Sequence, residues 1–135
     1  MLGVTFSHEC PLPRRALTTS RDGSFVLWDL AVRWDIKEEP KPLARYSCPE
    51  GEKRPYERAA LGPDGVLALA AGALVRFHDP KTGQVLGEIP QAHSGRLTDM
   101  CFCPETRQTP QGMRSVLMTA GADQRVRLWM APALP

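Results

Sequence analysis

The sequence predicts an all-β chain that repeats one short antiparallel unit, and three observations lead there. Apolar residues come in short runs bounded by turn formers: FVLW at 25–28, VLAL at 66–69, VRFH at 75–78, VRLW at 126–129, with another at 98–103. No long stretch carries apolar residues at helical spacing without interruption, and proline keeps cutting the chain, at 40, 42, 49, 55, 63, 80, 90, 104 and 110. The strand ending in Trp28 recurs at His78 and again at Trp129, 50 and 51 residues on, somewhat above the ~40–45-residue period of four-stranded repeat units.

Taken in order, residues 4–7 read as an innermost strand entered part-way. LTTSRDG at 17–23 leads through Asp22-Gly23, where glycine accepts the positive φ of a tight hairpin, into residues 25–28. A charged, Pro-rich insertion at 36–54 follows. In the second copy Pro63-Asp64-Gly65 and Asp79-Pro80-Lys81-Thr82-Gly83 are turns, with Gly83 at a left-handed position. The third copy has His93 ahead of its first strand and a polar, turn-forming insertion at 105–112. It stops after Trp129, one strand short. About eleven strands result. Thr18, Asp22 and Trp28 are spaced by 4 and 6 residues, and Thr119, Asp123 and Trp129 repeat those spacings. The same spacing in the middle copy falls on Ala68, Gly72 and His78.

These residues carry a resemblance. LTTSRDGSFVLWDL, AHSGRLTDMCFCPE with LMTAGADQRVRLW, and GPDGVLALAAGALVRFHDPKTGQVLGEI resemble WD40 repeats. The resemblance implies a partial β-propeller of about three four-stranded antiparallel blades, the first and last incomplete. Residues 1–57 form a blade truncated at its N-terminal side, 58–91 a degenerate blade, and 92–135 a blade lacking its outermost strand. It further implies a buried polar tetrad of His93, Thr119, Asp123 and Trp129. Thr18, Asp22 and Trp28 make a partial second tetrad whose His would precede Met1. The middle blade and SRDGSFVLWDLAVRWDIKEEPKPL resemble the C-terminal half of the transducin beta-like protein 2 family. That family implies the cytosolic face of the endoplasmic reticulum and a link to stress signalling through a kinase or the translation machinery.

The tetrad chemistry is structural. A buried indole N–H needs an acceptor and a buried carboxylate needs donors. Trp129 donating to Thr119, Thr119 bonding His93, and His93 donating to Asp123 meets both needs, while Asp123 caps the turn. A His, Asp and Thr also evoke hydrolases, but no oxyanion loop accompanies them, and the expectation is a chain that is not an enzyme and holds no cofactor. Cys101 and Cys103, two apart on a strand, share a face. With His93 they fall short of the paired spacing of a zinc site, so they read as packed thiols and no metal is expected.

Composition narrows the partners. With 135 residues, 42% hydrophobic, 24% charged and a net charge of +2, a coiled coil, a disordered chain and a strongly electrostatic nucleic-acid binder are excluded, and DNA is not an expected partner. The longest apolar run, 66–75, is too short to span a membrane. Without a secretion signal the four cysteines read as reduced thiols and the chain as given reads as cytoplasmic. Arg14, Arg15, Arg107, Arg114, Arg125 and Arg127 make a loose basic set, either a solvated surface or a contact for an acidic partner or RNA. Trp34, together with Arg125 and Arg127, marks a candidate partner contact; packing between blades is the alternative for Trp34. The functional expectation is a protein-binding scaffold, with an RNA-contacting module as the alternative. Three blades leave blade faces uncovered, so further blades or self-association are expected.

Overall fold

The computed structural model describes residues 3–6, 15–19, 24–30, 39, 41–46 and 56–134. Among them lie thirteen strands and no helix: β1 (Gly3–Phe6), β2 (Arg15–Thr19), β3 (Phe25–Asp29), β4 (Lys41–Tyr46), β5 (Arg58–Leu61), β6 (Leu67–Ala71), β7 (Leu74–His78), β8 (Val85–Ile89), β9 (Leu97–Phe102), β10 (Arg107–Thr109), β11 (Gly112–Arg114), β12 (Val116–Gly121) and β13 (Val126–Met130). Eleven of them form three antiparallel sheets, ordered β1-β2-β3-β4, β5-β6-β7-β8 and β13-β12-β9. The first strand of the second sheet, β5, touches both β1 and β9. The result is an all-β domain whose sheets follow one another in an open, propeller-like arrangement.

The other two strands correct the expected count. The polar stretch read as a turn-forming insertion folds into a hairpin, β10–β11, with Arg107 opposite Arg114 and Thr109 opposite Gly112. The Thr109 hydroxyl donates to the Gly112 carbonyl (2.7 Å) and accepts from the Gln111 N–H (3.2 Å). Proline at the second turn position and Gly112 at the fourth, with φ 107°, suit that turn. Nothing apolar alternates here, so the strands gave no periodic signal.

Packing explains the sequence pattern. β6 is buried along its whole length, LALAA, because it is covered on both faces. Leu67, Leu69 and Ala71 join Leu61 and Tyr56 against Leu17, Phe25 and Leu27 of the first sheet. Ala68 and Ala70 turn the other way and, with Ala60, Val75 and Phe77, meet Leu97, Met100, Phe102 and Leu117 of the third. A strand buried on both faces reads as a continuous apolar run.

Hairpin length decides how the copies align. In the second sheet Ala71 pairs with Leu74 across a two-residue turn, Gly72-Ala73, with φ 61° at Gly72, the position where such turns require glycine. In the third, Gln124 N–H bonds the Gly121 carbonyl (3.1 Å) and Gln124 itself has φ 65°, a longer loop with one left-handed residue. Counting from the register, His78 lies opposite Leu67, as Trp129 lies opposite Leu117 and Trp28 opposite Ala16. Leu69 therefore occupies the place of Thr119 and Thr18. The spacing-based match to Ala68 is one residue off because the middle hairpin is shorter.

Candidate functional site

The polar centre of the molecule is in the third sheet. His93 lies just before β9, with its side chain fully buried, and Thr119 on β12 is equally inaccessible. The Trp129 Nε1–H donates to Thr119 Oγ1 at 2.9 Å, and Thr119 Oγ1 lies 2.8 Å from His93 Nε2. His93 Nδ1 lies 3.0 and 3.2 Å from the two Asp123 oxygens. A carboxylate accepts, so Nδ1 carries the hydrogen; Nε2 then accepts the hydroxyl proton that Thr119 has left to give. The pattern assigns every donor an acceptor, and no buried side-chain nitrogen or oxygen among the described residues lacks a partner.

Asp123 also serves the backbone. Its carboxylate accepts from the Ser94 N–H (3.1 Å), the Ser94 hydroxyl (3.3 Å) and the Arg125 N–H (3.2 Å), closing the β12–β13 turn over the loop that carries His93. Burial works against its charge, but the Ser94 N–H, the His93 ring and the Arg125 N–H outweigh it and hold the carboxyl below its ordinary value. Gly121 makes the approach possible. A Cβ there would lie 2.5 Å from His93 Cγ and 2.8 Å from Asp123 Oδ1. Sequence reasoning passed over Gly121; the small Ser20 at the same place in the first copy was the available signal.

The first sheet repeats part of this. Trp28 Nε1–H donates to Thr18 Oγ1 at 2.8 Å, while Asp22 lies outside the described residues. The middle sheet uses other groups. His78, in the tryptophan position, donates from Nδ1 to the Gly83 carbonyl (3.1 Å), and its Nε2 faces the Tyr56 hydroxyl at 3.4 Å. Burial lowers the His78 pKa, the Gly83 bond opposes this in part, and the charge of Arg76 adds to it. A further link went unread in the sequence: the buried Ser115 hydroxyl donates to Asp64 Oδ1 (2.5 Å), joining the β5–β6 turn to the start of β12.

The remaining candidates are superficial. Arg125 and Arg127 are exposed on the third hairpin; Trp34 lies outside the described residues. Cys101 is exposed on β9 and Cys103 half-buried, both free thiols, and burial raises the Cys101 pKa. Among the described residues no group of three or more His, Cys, Asp or Glu is placed to hold a metal ion, and no helix is long and apolar enough to cross a membrane.

Comparison with known proteins gives a fold and weak kinship. No protein-family model matches the chain. It is 29% identical to transducin beta-like protein 2 of Homo sapiens over 90 residues, covering 66% of this chain and 20% of that protein. The figures for Mus musculus are 31%, 66% and 20%. The chain thus spans about a fifth of the length of these relatives. Among solved structures it resembles the β-propeller domain of Myceliophteria thermophila Cps50 (Swd1), with a TM-score of 0.68 at 9% identity, over 88% of this chain and 37% of that one. That likeness is one of fold.

Proposed function

We propose that the chain is a non-catalytic scaffold for protein–protein contacts, part of a WD40-type β-propeller in which His93, Thr119, Asp123 and Trp129, and in the first blade Thr18, Asp22 and Trp28, are structural. The observation that carries the reading is the closed hydrogen-bond chain from Trp129 to Asp123. A catalytic His and Asp leave a reactive atom facing substrate. Here the hydroxyl is fully buried and bonded on both sides, so the polar groups stiffen the sheet and leave turns and outer surfaces for recognition. The blades run over 1–57, 58–91 and 92–135. Kinship with transducin beta-like protein 2 supports carrying over a place at the cytosolic face of the endoplasmic reticulum and a partner in stress signalling, a kinase or the translation machinery.

RNA is the second reading, favoured by the exposed Arg125 and Arg127 side by side on β13 and its turn. One experiment separates the two. Immobilised chain is exposed to cell extract at about 50 mM and about 300 mM salt, since phosphate contacts weaken steeply over that range. Proteins retained at high salt and lost with Trp34→Ala support the scaffold. RNA retained only at low salt and lost on charge reversal of Arg125 and Arg127 supports the alternative. Retention of neither refutes both.

A further inference from the structure

The β10–β11 hairpin has no counterpart in the second sheet, where residues 62–66 alone join β5 to β6. It is a two-stranded sheet of its own. Its register sets Thr109 opposite Gly112 and, in the next row on the same face, Arg107 opposite Arg114. Gln108 and the exposed Met113 take the other face. Like charges directly across a strand pair repel, and among the described residues neither arginine has a carboxylate partner. The Arg114 guanidinium already lies over the turn. Its Nη1 donates to the Met113 carbonyl (2.9 Å) and stands 3.3 Å from where a Cβ on Gly112 would be. Gly112 is the residue facing Thr109, so the hairpin sets cationic groups beside a hydroxyl and leaves their charge unbalanced.

Thr109-Pro110 is also the one place in the 135-residue sequence where proline follows a serine or threonine. Proline offers no backbone N–H and holds the residue before it extended, the two features a proline-directed kinase selects in its acceptor. We propose that Thr109 is a phosphorylation site for a proline-directed serine/threonine kinase, and that Arg107 and Arg114 receive the phosphate. The Thr109 oxygen attacks the terminal phosphorus of ATP. A P–O bond forms as the bond to ADP breaks, ADP leaves, and the hydroxyl proton passes to the kinase's catalytic carboxylate. Access requires the hairpin to open, because the hydroxyl donates to the Gly112 carbonyl (2.7 Å) and accepts from the Gln111 N–H (3.2 Å). A two-stranded hairpin of three residues a side opens readily. Esterification removes the hydrogen that Gly112 accepted and replaces it with a dianion rich in acceptor oxygens. The two guanidiniums then bond that dianion instead of repelling one another, so the closed hairpin is firmer after modification than before. The inference does not depend on the scaffold reading, which makes no use of this hairpin.

The test incubates the full chain with ATP and a purified proline-directed kinase, and locates the phosphate by mass spectrometry. The expected product carries one phosphoryl group, on Thr109. Pro110→Ala should abolish most of the transfer, and Thr109→Ser should keep it. Phosphorus NMR then reads the surroundings of the phosphate. Its second ionisation should fall from about 6 toward about 5 beside the two arginines. Replacing both by Gln should return it to about 6, while replacing both by Lys, which keeps the charges, should retain most of the fall. Exchange of the hairpin amides should slow about tenfold on phosphorylation. Phosphate on another residue with Thr109 unmodified overturns the proposal, as does transfer that ignores Pro110→Ala. So does a phosphate that ionises alike in the wild type and the Gln variant, or faster exchange in the phosphorylated hairpin.

Discussion

Replacing Thr119 by Val isolates the hydrogen-bond chain, because shape changes little while one oxygen is removed. That oxygen accepts from Trp129 at 2.9 Å and lies 2.8 Å from His93 Nε2. His93 and Thr119 are buried, so the orphaned ring nitrogen finds no water and costs about 1–3 kcal/mol. Trp129 is only partly buried, so losing its bond costs less, about 0.5–1.5 kcal/mol. The sum is roughly 1.5–4.5 kcal/mol, a large part of the ~5–15 kcal/mol that holds a domain folded. With a mid-range urea slope of about 2 kcal/mol per molar, the unfolding midpoint should fall by roughly 1–2 M. Thr119→Ser keeps the hydroxyl and should lose far less. Adding Trp129→Phe to Thr119→Val should cost less than in the wild type, since the indole N–H is already unpaired. A Thr119→Val midpoint equal to the wild type, or Thr119→Ser as harmful as Thr119→Val, would refute the assigned donors.

Three further outcomes follow from the geometry. Gly121→Ala drives a Cβ into the His93 ring and the Asp123 carboxylate; the cost is about 1–3 kcal/mol, read by calorimetry as a fall of roughly 5–10 °C in melting temperature. Gln124→Gly relieves the positive φ at 65° and should stabilise by about 0.5–1 kcal/mol; a lower urea midpoint would contradict the turn. His78 is held below its ordinary pKa of about 6.5. Below that pH the unfolded chain takes up a proton that the folded one refuses, so its contribution is whole above about 6.5 and is lost as pH falls toward the folded value. His78→Gln should flatten the urea midpoint against pH in that window, and an unchanged slope would assign it elsewhere.

What the sequence made legible was whatever depends on alternation and spacing. The strands ending in Trp28, His78 and Trp129 lie within β3, β7 and β13, because short apolar runs between turn formers have few other conformations. The tetrad of His93, Thr119, Asp123 and Trp129 was implied by the WD40 resemblance, with the spacings of Thr119, Asp123 and Trp129 repeated in the first copy. What escaped depends on contacts that leave no local trace. The β10–β11 hairpin is polar except for the exposed Met113. Leu69 takes the Thr119 position only because a two-residue turn shifts the register. The Ser115–Asp64 bond joins residues 51 apart, and nothing near either one announces it. The exposure of Val126 and Leu128 is equally silent, since an apolar strand reads the same with or without a neighbour. Asp22 and Trp34 lie outside the described residues.

The segment after β13 has a consequence for how stability is shared. Ala131 N–H bonds the Ser115 carbonyl (2.9 Å). Pro132 reaches Gly87 on β8, and Leu134 reaches Gly65, where the Arg15 guanidinium from β2 also arrives. Leu134 and Arg15 share the walls of a cavity of about 380 Å³ with Leu27. Stacked repeats ordinarily behave as a one-dimensional array in which each unit senses only its neighbours. Here the last four described residues run back along the second sheet, past Gly87 to Gly65, and stop at a cavity whose far wall is Arg15 and Leu27 of the first sheet. Unfolding of the third sheet would open one wall of a cavity that the first sheet also lines. Hydrogen exchange in β2 should then rise when Leu134 is truncated to Ala, while exchange in the intervening β6 changes less.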